Sequence, residues 1–366
     1  MSGKLALREF FTRPPLPSTG VSIHRHAVAV ACTRRTKGKL LIQRAAVEPL
    51  PAGVIEPAFD GVNIKNRDAL GEALGRALTS AGLKRRSRWC MALPAAACRM
   101  FLLDLDEVPS DAEELAQILE WKAERFLGMA ASELVLACER IMSGPTGGRF
   151  LVVAVRTEVL TAYESVLAGL GLHPGWVVPV PIAESGWLFH SATEGDSLLV
   201  SYEDELVTFV FARRDTVLAV RAVPCSPDAL LDEIHRTLAY YQDKLRPASA
   251  ATSQPRKPRV SLWRRRRGVS VENPSSLAGE ATDVASPGDS PSLDLIVLVT
   301  RRDGRDTNAE ATWGPSFVAA VTSLCRKFFP DDHSPRVYSL DEEKVNPESP
   351  LTLSSLAAAV GITLLG

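Results

Sequence analysis

The side chains best suited to chemistry near the start of the sequence lie in "TGVSIHRHAVAVACTRR", Thr19 to Arg35. There Ser22, His24, Arg25 and His26 bunch in a polar turn between two strand-like runs. Histidines at alternate positions can present two imidazoles to one metal ion. No third ligand follows nearby, so solvated turn residues are the expectation and no metal is assigned. The six cysteines (Cys32, Cys90, Cys98, Cys138, Cys225, Cys325) are scattered without a CxxC pair, as suits buried thiols in a reducing compartment rather than a disulfide frame or a zinc site. GxSxG, HExxH, GxxxxGK(S/T) and GxGxxG are all missing, so these serine hydrolase, zinc protease, P-loop and dinucleotide signatures give no foothold. The acids of "DLDEVPSDAEE" belong to a turn and a helix start, where carboxylates suit the N-terminal dipole.

A second cluster, "PRKPRVSLWRRRRG", places Arg264, Arg265, Arg266 and Arg267 beside Trp263. A solvated loop is the first expectation, an anionic membrane surface the second. One short run without a stacking platform argues against nucleic acid. The net charge of -1 over 366 residues provides no global pull towards a polyanion, and 46% hydrophobic with 23% charged residues is the balance of a globular protein with a sizeable core. Charges at Lys4, Arg8, Glu9 and Arg13 interrupt any signal-peptide core. The uncharged "SPLTLSSLAAAVGITLLG" is shorter than a bilayer span and reads as a packed final helix. A cytosolic location is expected.

These residues need a frame, and the chain repeats one. The hairpin Gly20 to Thr33 is followed by the strand "KLLIQRAAVEPL". A helix then comes in "NRDALGEALGRALTSAG", capped by Asn66, with Leu70, Leu74 and Leu78 on one face and Gly82 past its end. The hairpin "SLLVSYED"/"ELVTFVFARRD", the strand "TVLAVRAVP" and the helix "SPDALLDEIHRTLAYYQDKL" repeat that order, with Ser226 at the cap and Pro227 at the first position. Three strands and a helix, twice, predict a duplicated two-lobed α/β fold. The intervening block reads as two strands in "RWCMALPAAACRMFLLDLDEVP" and a helix in "SDAEELAQILEWKAERFLG" with a capping box from Ser110 to Glu113. A hairpin across "SGPTGG" and a helix in "TEVLTAYESVLAGLG" complete it. "GWVVPVPI" reads as a proline-broken strand crossing between lobes. After a Ser/Pro-rich stretch come the strand "LDLIVLVT", a helix in "GPSFVAAVTSLCRKFF", the strand "RVYSL" and the last helix.

This order resembles the PilM-type type IV pilus assembly proteins, of the FtsA-like branch of the actin-like ATPase superfamily. The specific pieces are "MALPAAACRMFLLDLDEVP", "LEWKAERFLG", "VRTEVLTAYESVLAGLGLHPGWVVP" and "DEIHRTLAYYQDKL". The resemblance implies an actin-like fold of duplicated ribonuclease H-like βββα lobes with an inserted α+β subdomain. Residues 1–88 then begin the first lobe, 89–156 form the insert, and 157–196 complete the lobe and cross over. Residues 197–245 begin the second lobe, 246–292 are a disordered or loop insertion, and 293–366 finish it.

In that superfamily ATP sits between the lobes, gripped by Asp-x-Gly in each hairpin turn and by a late Gly-Gly. Here the corresponding positions are Ser22 and His24, Ser201 and Glu203, and Arg301 and Arg302. A serine is a poor magnesium ligand, an imidazole obstructs backbone approach, and Glu203 would repel phosphate. His24, Arg25 and Arg301 could still hold an anion. The resemblance therefore implies a pseudo-ATPase without ATP or magnesium, not an enzyme. The alternative is an active actin-like ATPase that binds ATP-magnesium in the cleft. What remains is a cytoplasmic scaffold, peripheral to the inner membrane through partners and compatible with homo-oligomerisation. It would bind the tail of a PilN-like bitopic protein in a groove at Leu93, Pro94, Trp121, Glu124 and Phe126. Taken singly, Trp121 and Phe126 read as core of the insert. A GspL-like secretion protein is a third reading, disfavoured because the chain ends without the transmembrane helix expected of one.

Overall fold

The computed structural model describes residues 17–36, 39–83, 88–143, 146–190, 196–213, 216–245, 296–302, 315–328, 336–339 and 353–364. The basic run at 264–267 and the expected loop at 246–292 lie outside them.

Two sheets share one topology. In the first, β1 (Thr19–Ile23), β2 (Ala27–Thr36) and β3 (Lys39–Pro49) form an antiparallel meander, and β4 (Arg88–Leu93) and β8 (His173–Pro179) add in parallel, in the order β3-β2-β1-β4-β8. The second repeats this with β9 (Asp196–Glu203), β10 (Leu206–Arg213), β11 (Thr216–Pro224), β12 (Ile296–Arg302) and β13 (Arg336–Ser339), in the order β11-β10-β9-β12-β13. Registers repeat as well: Ser22 lies opposite Ala92 as Ser201 lies opposite Thr300.

Helices α1 (Arg67–Ser80) and α3 (Thr157–Gly169) cover the outer face of the first sheet, with Val21, Ile23, Leu70, Leu74, Trp89 and Tyr163 in the core between them. Asn66 caps α1 by accepting from Ala69 N at 3.0 Å, and Gly82 follows it in the left-handed region, φ 66°. Helix α5 (Leu230–Tyr240) and helix α6 (Pro315–Phe328) cover the second sheet in the same way, with Phe209, Ile234, Leu238, Tyr241 and Val321 in that core. Pro227 opens a short 3-10 turn ahead of α5, and Ser226 makes no side-chain cap bond.

Between the sheets lie α4 (Val180–His190) and α7 (Leu353–Gly361). The crossover that reads as a broken strand is thus a strand ending at Pro179 and then a helix. Pro181 falls in the first helical turn, where a missing N–H leaves nothing unpaired. Val180, Ile182, Ala183, Glu184, Ser185 and Leu188 are all buried, so this helix shows no polar stripe to betray its period. Trp187 Nε1 donates to Ala357 O at 2.9 Å and ties the two central helices together.

Small residues let α7 approach closely. A Cβ on Gly20 would stand 1.9 Å from Ala359 O, and one on Gly361 would stand 2.2 Å from Ala183 O. Leu356 and Val360, both fully buried on this surface, contribute about 1.5–3 kcal/mol each.

The insert is an antiparallel sheet of β5 (Arg99–Leu105), β7 (Gly148–Arg156) and β6 (Leu134–Ser143), in the order β5-β7-β6. Helix α2 (Ala112–Leu127) packs on one face through Leu115, Leu119 and Ala123, against Phe101, Phe150 and Val152. Its cap is Asp111 rather than the expected Ser110, the carboxylate accepting from Glu113 N and Glu114 N at 2.9 and 2.8 Å. The opposite face, with Leu151 and Val153, joins the interlobe core.

Gly20→Ala should cost about 1–3 kcal/mol in urea unfolding, because the obstacle is backbone. Gly71→Ala on α1, where a Cβ meets nothing within 4 Å, should instead gain up to about 1 kcal/mol.

Candidate functional site

The two hairpin turns meet across the cleft. The first, at His24 to His26, is closed by His24 N donating to Ala27 O at 2.9 Å. The second is the two-residue turn Asp204–Glu205, with φ of 48° and 63°. Two successive left-handed residues match the twist of a hairpin, but each costs a non-glycine residue about 1–2 kcal/mol. Cys225 N donating to Glu205 O at 2.7 Å helps to hold that turn, and so does His26 Nε2 at 3.3 Å from Asp204 Oδ1.

His24 and Glu203 occupy equivalent places in the two hairpins, and they touch. His24 Nδ1 lies 2.6 Å from Glu203 Oε1, with the residues only 3% and 7% exposed. With Glu203 ionised, its carboxylate accepts and the Nδ1 proton is the one donated. Glu203 Oε2 also accepts from Ala95 N at 3.4 Å. Ala95 begins the 3-10 turn Ala95–Ala97 that leads from β4 into the insert.

His24 is therefore not the solvated turn residue that its polar neighbours suggest. The local sequence cannot display the opposing hairpin that buries it. One signal was available: setting the duplicated hairpins side by side, with Ser22 on Ser201, puts His24 and Glu203 at the same position of the two turns.

The other cleft positions are quieter. Ser22 is fully buried in β1 opposite Ala29, and among the described residues its Oγ makes no hydrogen bond. Ser201 is buried in β9 opposite Thr208. Arg301 and Arg302 do not follow the strand, as expected, but belong to it: β12 runs through both, pairing them with Tyr202 and Glu203. Among the described residues no group of three or more His, Cys, Asp or Glu could hold a metal ion. Burial pushes the Cys90 and Cys98 thiols up to about 12, which removes both as nucleophiles. The Tyr163 phenol is raised as well, by burial first and then by Cys98 and Glu203.

The expected tail-groove residues do not come together. Leu93 and Pro94 are buried at the end of β4, where Leu93 lines an apolar cavity of about 50 Å³ with Cys98, Val135, Val153, Val177 and Pro179. That cavity lies between β4 and β8 of the first lobe and β6 and β7 of the insert. Trp121 and Phe126 are not core of the insert; they are 52% and 61% exposed. Trp121 falls off the Leu115–Leu119–Ala123 stripe and stacks under the Arg125 guanidinium, 5.1 Å from its ring centre. The Phe126 ring stacks on Phe101 at 4.2 Å. Glu124 accepts from Ala131 N at 2.7 Å. Helix α2 and the cavity occupy opposite faces of the inserted sheet, which separates these three residues from Leu93.

No protein-family model and no curated protein matches the sequence. Among solved structures, a chain of the PilM-PilN type IV pilus biogenesis complex superposes at TM-score 0.64 with 15% identity, over 96% of this chain and 98% of that one. The cytoplasmic domain of EpsL, an inner membrane component of the Vibrio cholerae type II secretion system, has TM-score 0.37 and 13% identity over 59% of this chain and 74% of its own. The ethanolamine utilization protein EutJ of Carboxydothermus hydrogenoformans has TM-score 0.40 and 10% identity over 97% and 91%. The fold is the actin-like one, in its PilM-type form with the inserted subdomain.

Removing one member of a buried pair strands the other. His24→Ala should therefore cost about 3–5 kcal/mol in urea unfolding. His26→Ala, which breaks the half-exposed pair with Asp204, should cost no more than about 1 kcal/mol.

Proposed function

We propose that this chain with the PilM-type actin-like fold is a non-hydrolysing adaptor. In this account it belongs to a type IV pilus, or related type II secretion-like, inner-membrane assembly complex and holds the cytoplasmic tail of a PilN-like bitopic protein. One observation carries the first half: His24 Nδ1 and Glu203 Oε1 are in contact at 2.6 Å where actin-like ATPases direct backbone amides and a magnesium carboxylate at phosphate. An entering phosphate would have to break that contact and face a carboxylate in a site with little water, which Coulomb repulsion opposes. Neither ATP nor magnesium is then needed for the lobes to close.

The tail half is supported by the apolar cavity beside β8 and by the likeness to a chain of a PilM-PilN complex. Val135 and Val177 are half-buried at its wall, so an aliphatic side chain of an extended segment could seat between them. Among the described residues no helix is long and apolar enough to cross a membrane, and a partner would supply membrane attachment.

Calorimetric titration with ATP-magnesium should show no binding; micromolar affinity with turnover would instead establish the active ATPase. In parallel, the cytoplasmic tail of a bitopic protein encoded in the neighbouring reading frame should co-purify with this chain. Val135→Glu should weaken that binding at least about tenfold, equivalent to ~1.4 kcal/mol. Trp121→Ala, on the far side of the insert, should leave it unchanged. The reverse pattern would place the tail on α2.

A further inference from the structure

Glu203 touches two parts of the molecule at once. Through Oε1 it holds the first hairpin turn at His24, and through Oε2 it holds Ala95 N. Ala95 belongs to the short connection by which the chain leaves the first lobe for the insert. Within that connection Ala97 N donates to Pro94 O and Cys98 N to Ala95 O, both at 3.1 Å, so its backbone is one hydrogen-bonded unit. Leu93 on one side of it and Cys98 on the other both line the apolar cavity. A carboxylate of the second lobe thus links the first hairpin turn to the cavity wall.

We propose that Glu203 is a positioning residue that couples closure of the two lobes to the shape of the apolar cavity. With the pair formed, the Pro94–Cys98 connection is pinned and the cavity keeps its aliphatic pocket. With the pair broken, the connection is released and Leu93 and Cys98 lose their fixed relation to Val135 and Val177. By linkage, a ligand that prefers the pinned cavity favours closed lobes, and closed lobes favour that ligand by the same factor. A side-chain pair within the chain here does what a bound nucleotide would otherwise do, and it makes the coupling constitutive. The identity of the ligand as a membrane protein's tail rests on the adaptor role proposed above; the coupling itself does not.

Amide hydrogen exchange on the full chain, with no ligand added, tests it. In Glu203→Ala, the amides of Ala97, Cys98 and Val135 should exchange at least about tenfold faster, relative to those of α5 in the second lobe. Glu203→Gln, which keeps the shape and an acceptor for His24, should change them less, and it serves as the second variant if the alanine protein does not fold. Acceleration confined to Ala95 and the 203–206 turn would overturn the proposal, since losing one hydrogen bond suffices to explain it. Uniform acceleration along the chain would overturn it too, as a purely structural effect. Absence of tail binding to the unaltered protein, with the exchange pattern as expected, would count against the adaptor role and leave the coupling standing.

Discussion

The structure depends on a histidine and a glutamate that meet where two hairpins converge. Taking imidazole and carboxylate out of water costs several kcal/mol, and the cost is recovered only with good geometry and few unmet hydrogen bonds. Here the distance is 2.6 Å, and the second carboxylate oxygen finds a backbone N–H. The contact needs both lobes in place: one residue comes from β1–β2 and the other from β9–β10, and the strand register on each side fixes how far each turn protrudes. The turn that follows Glu203 takes left-handed backbone at Asp204 and Glu205.

Beneath that contact, the lobes share a core rather than a hinge. Helices α4 and α7 pack between the sheets, and Gly20 and Gly361 let backbones touch where a methyl group would collide. The insert joins the same core through one face and keeps the other for α2. The His24–Glu203 pair adds a side-chain contact between the two hairpins on top of this shared core. Among the described residues, two features stand apart from this core: the small apolar cavity at the neck of the insert and the exposed aromatics Trp121 and Phe126 on α2.

Much of this is readable from residue order. The duplication, the caps at Asn66 and Gly82, and the meander of each lobe follow from local patterns, since each element shows its own period and its own stops. The equivalence of His24 and Glu203 is legible once the hairpins are set side by side. Helix α4 is not, because burial on every side erases the polar stripe by which a helix announces its period. His24 is misleading for a related reason: polarity in a short turn reads as exposure unless the facing turn is known. Trp121 shows the converse. Its size suggests a core position, yet the Leu115, Leu119 and Ala123 spacing already points the buried face elsewhere. The cavity beyond Leu93 depends on how two sheets lean together, and no local pattern encodes that.

If His24 and Glu203 act as one unit across the cleft, a double-mutant cycle will show it. Urea unfolding of His24→Ala, Glu203→Ala and the double variant should give a coupling of at least about 1.5 kcal/mol, the double variant being little worse than either single. Costs that add to within about 0.5 kcal/mol would mean that the two residues are energetically independent, and would contradict the account.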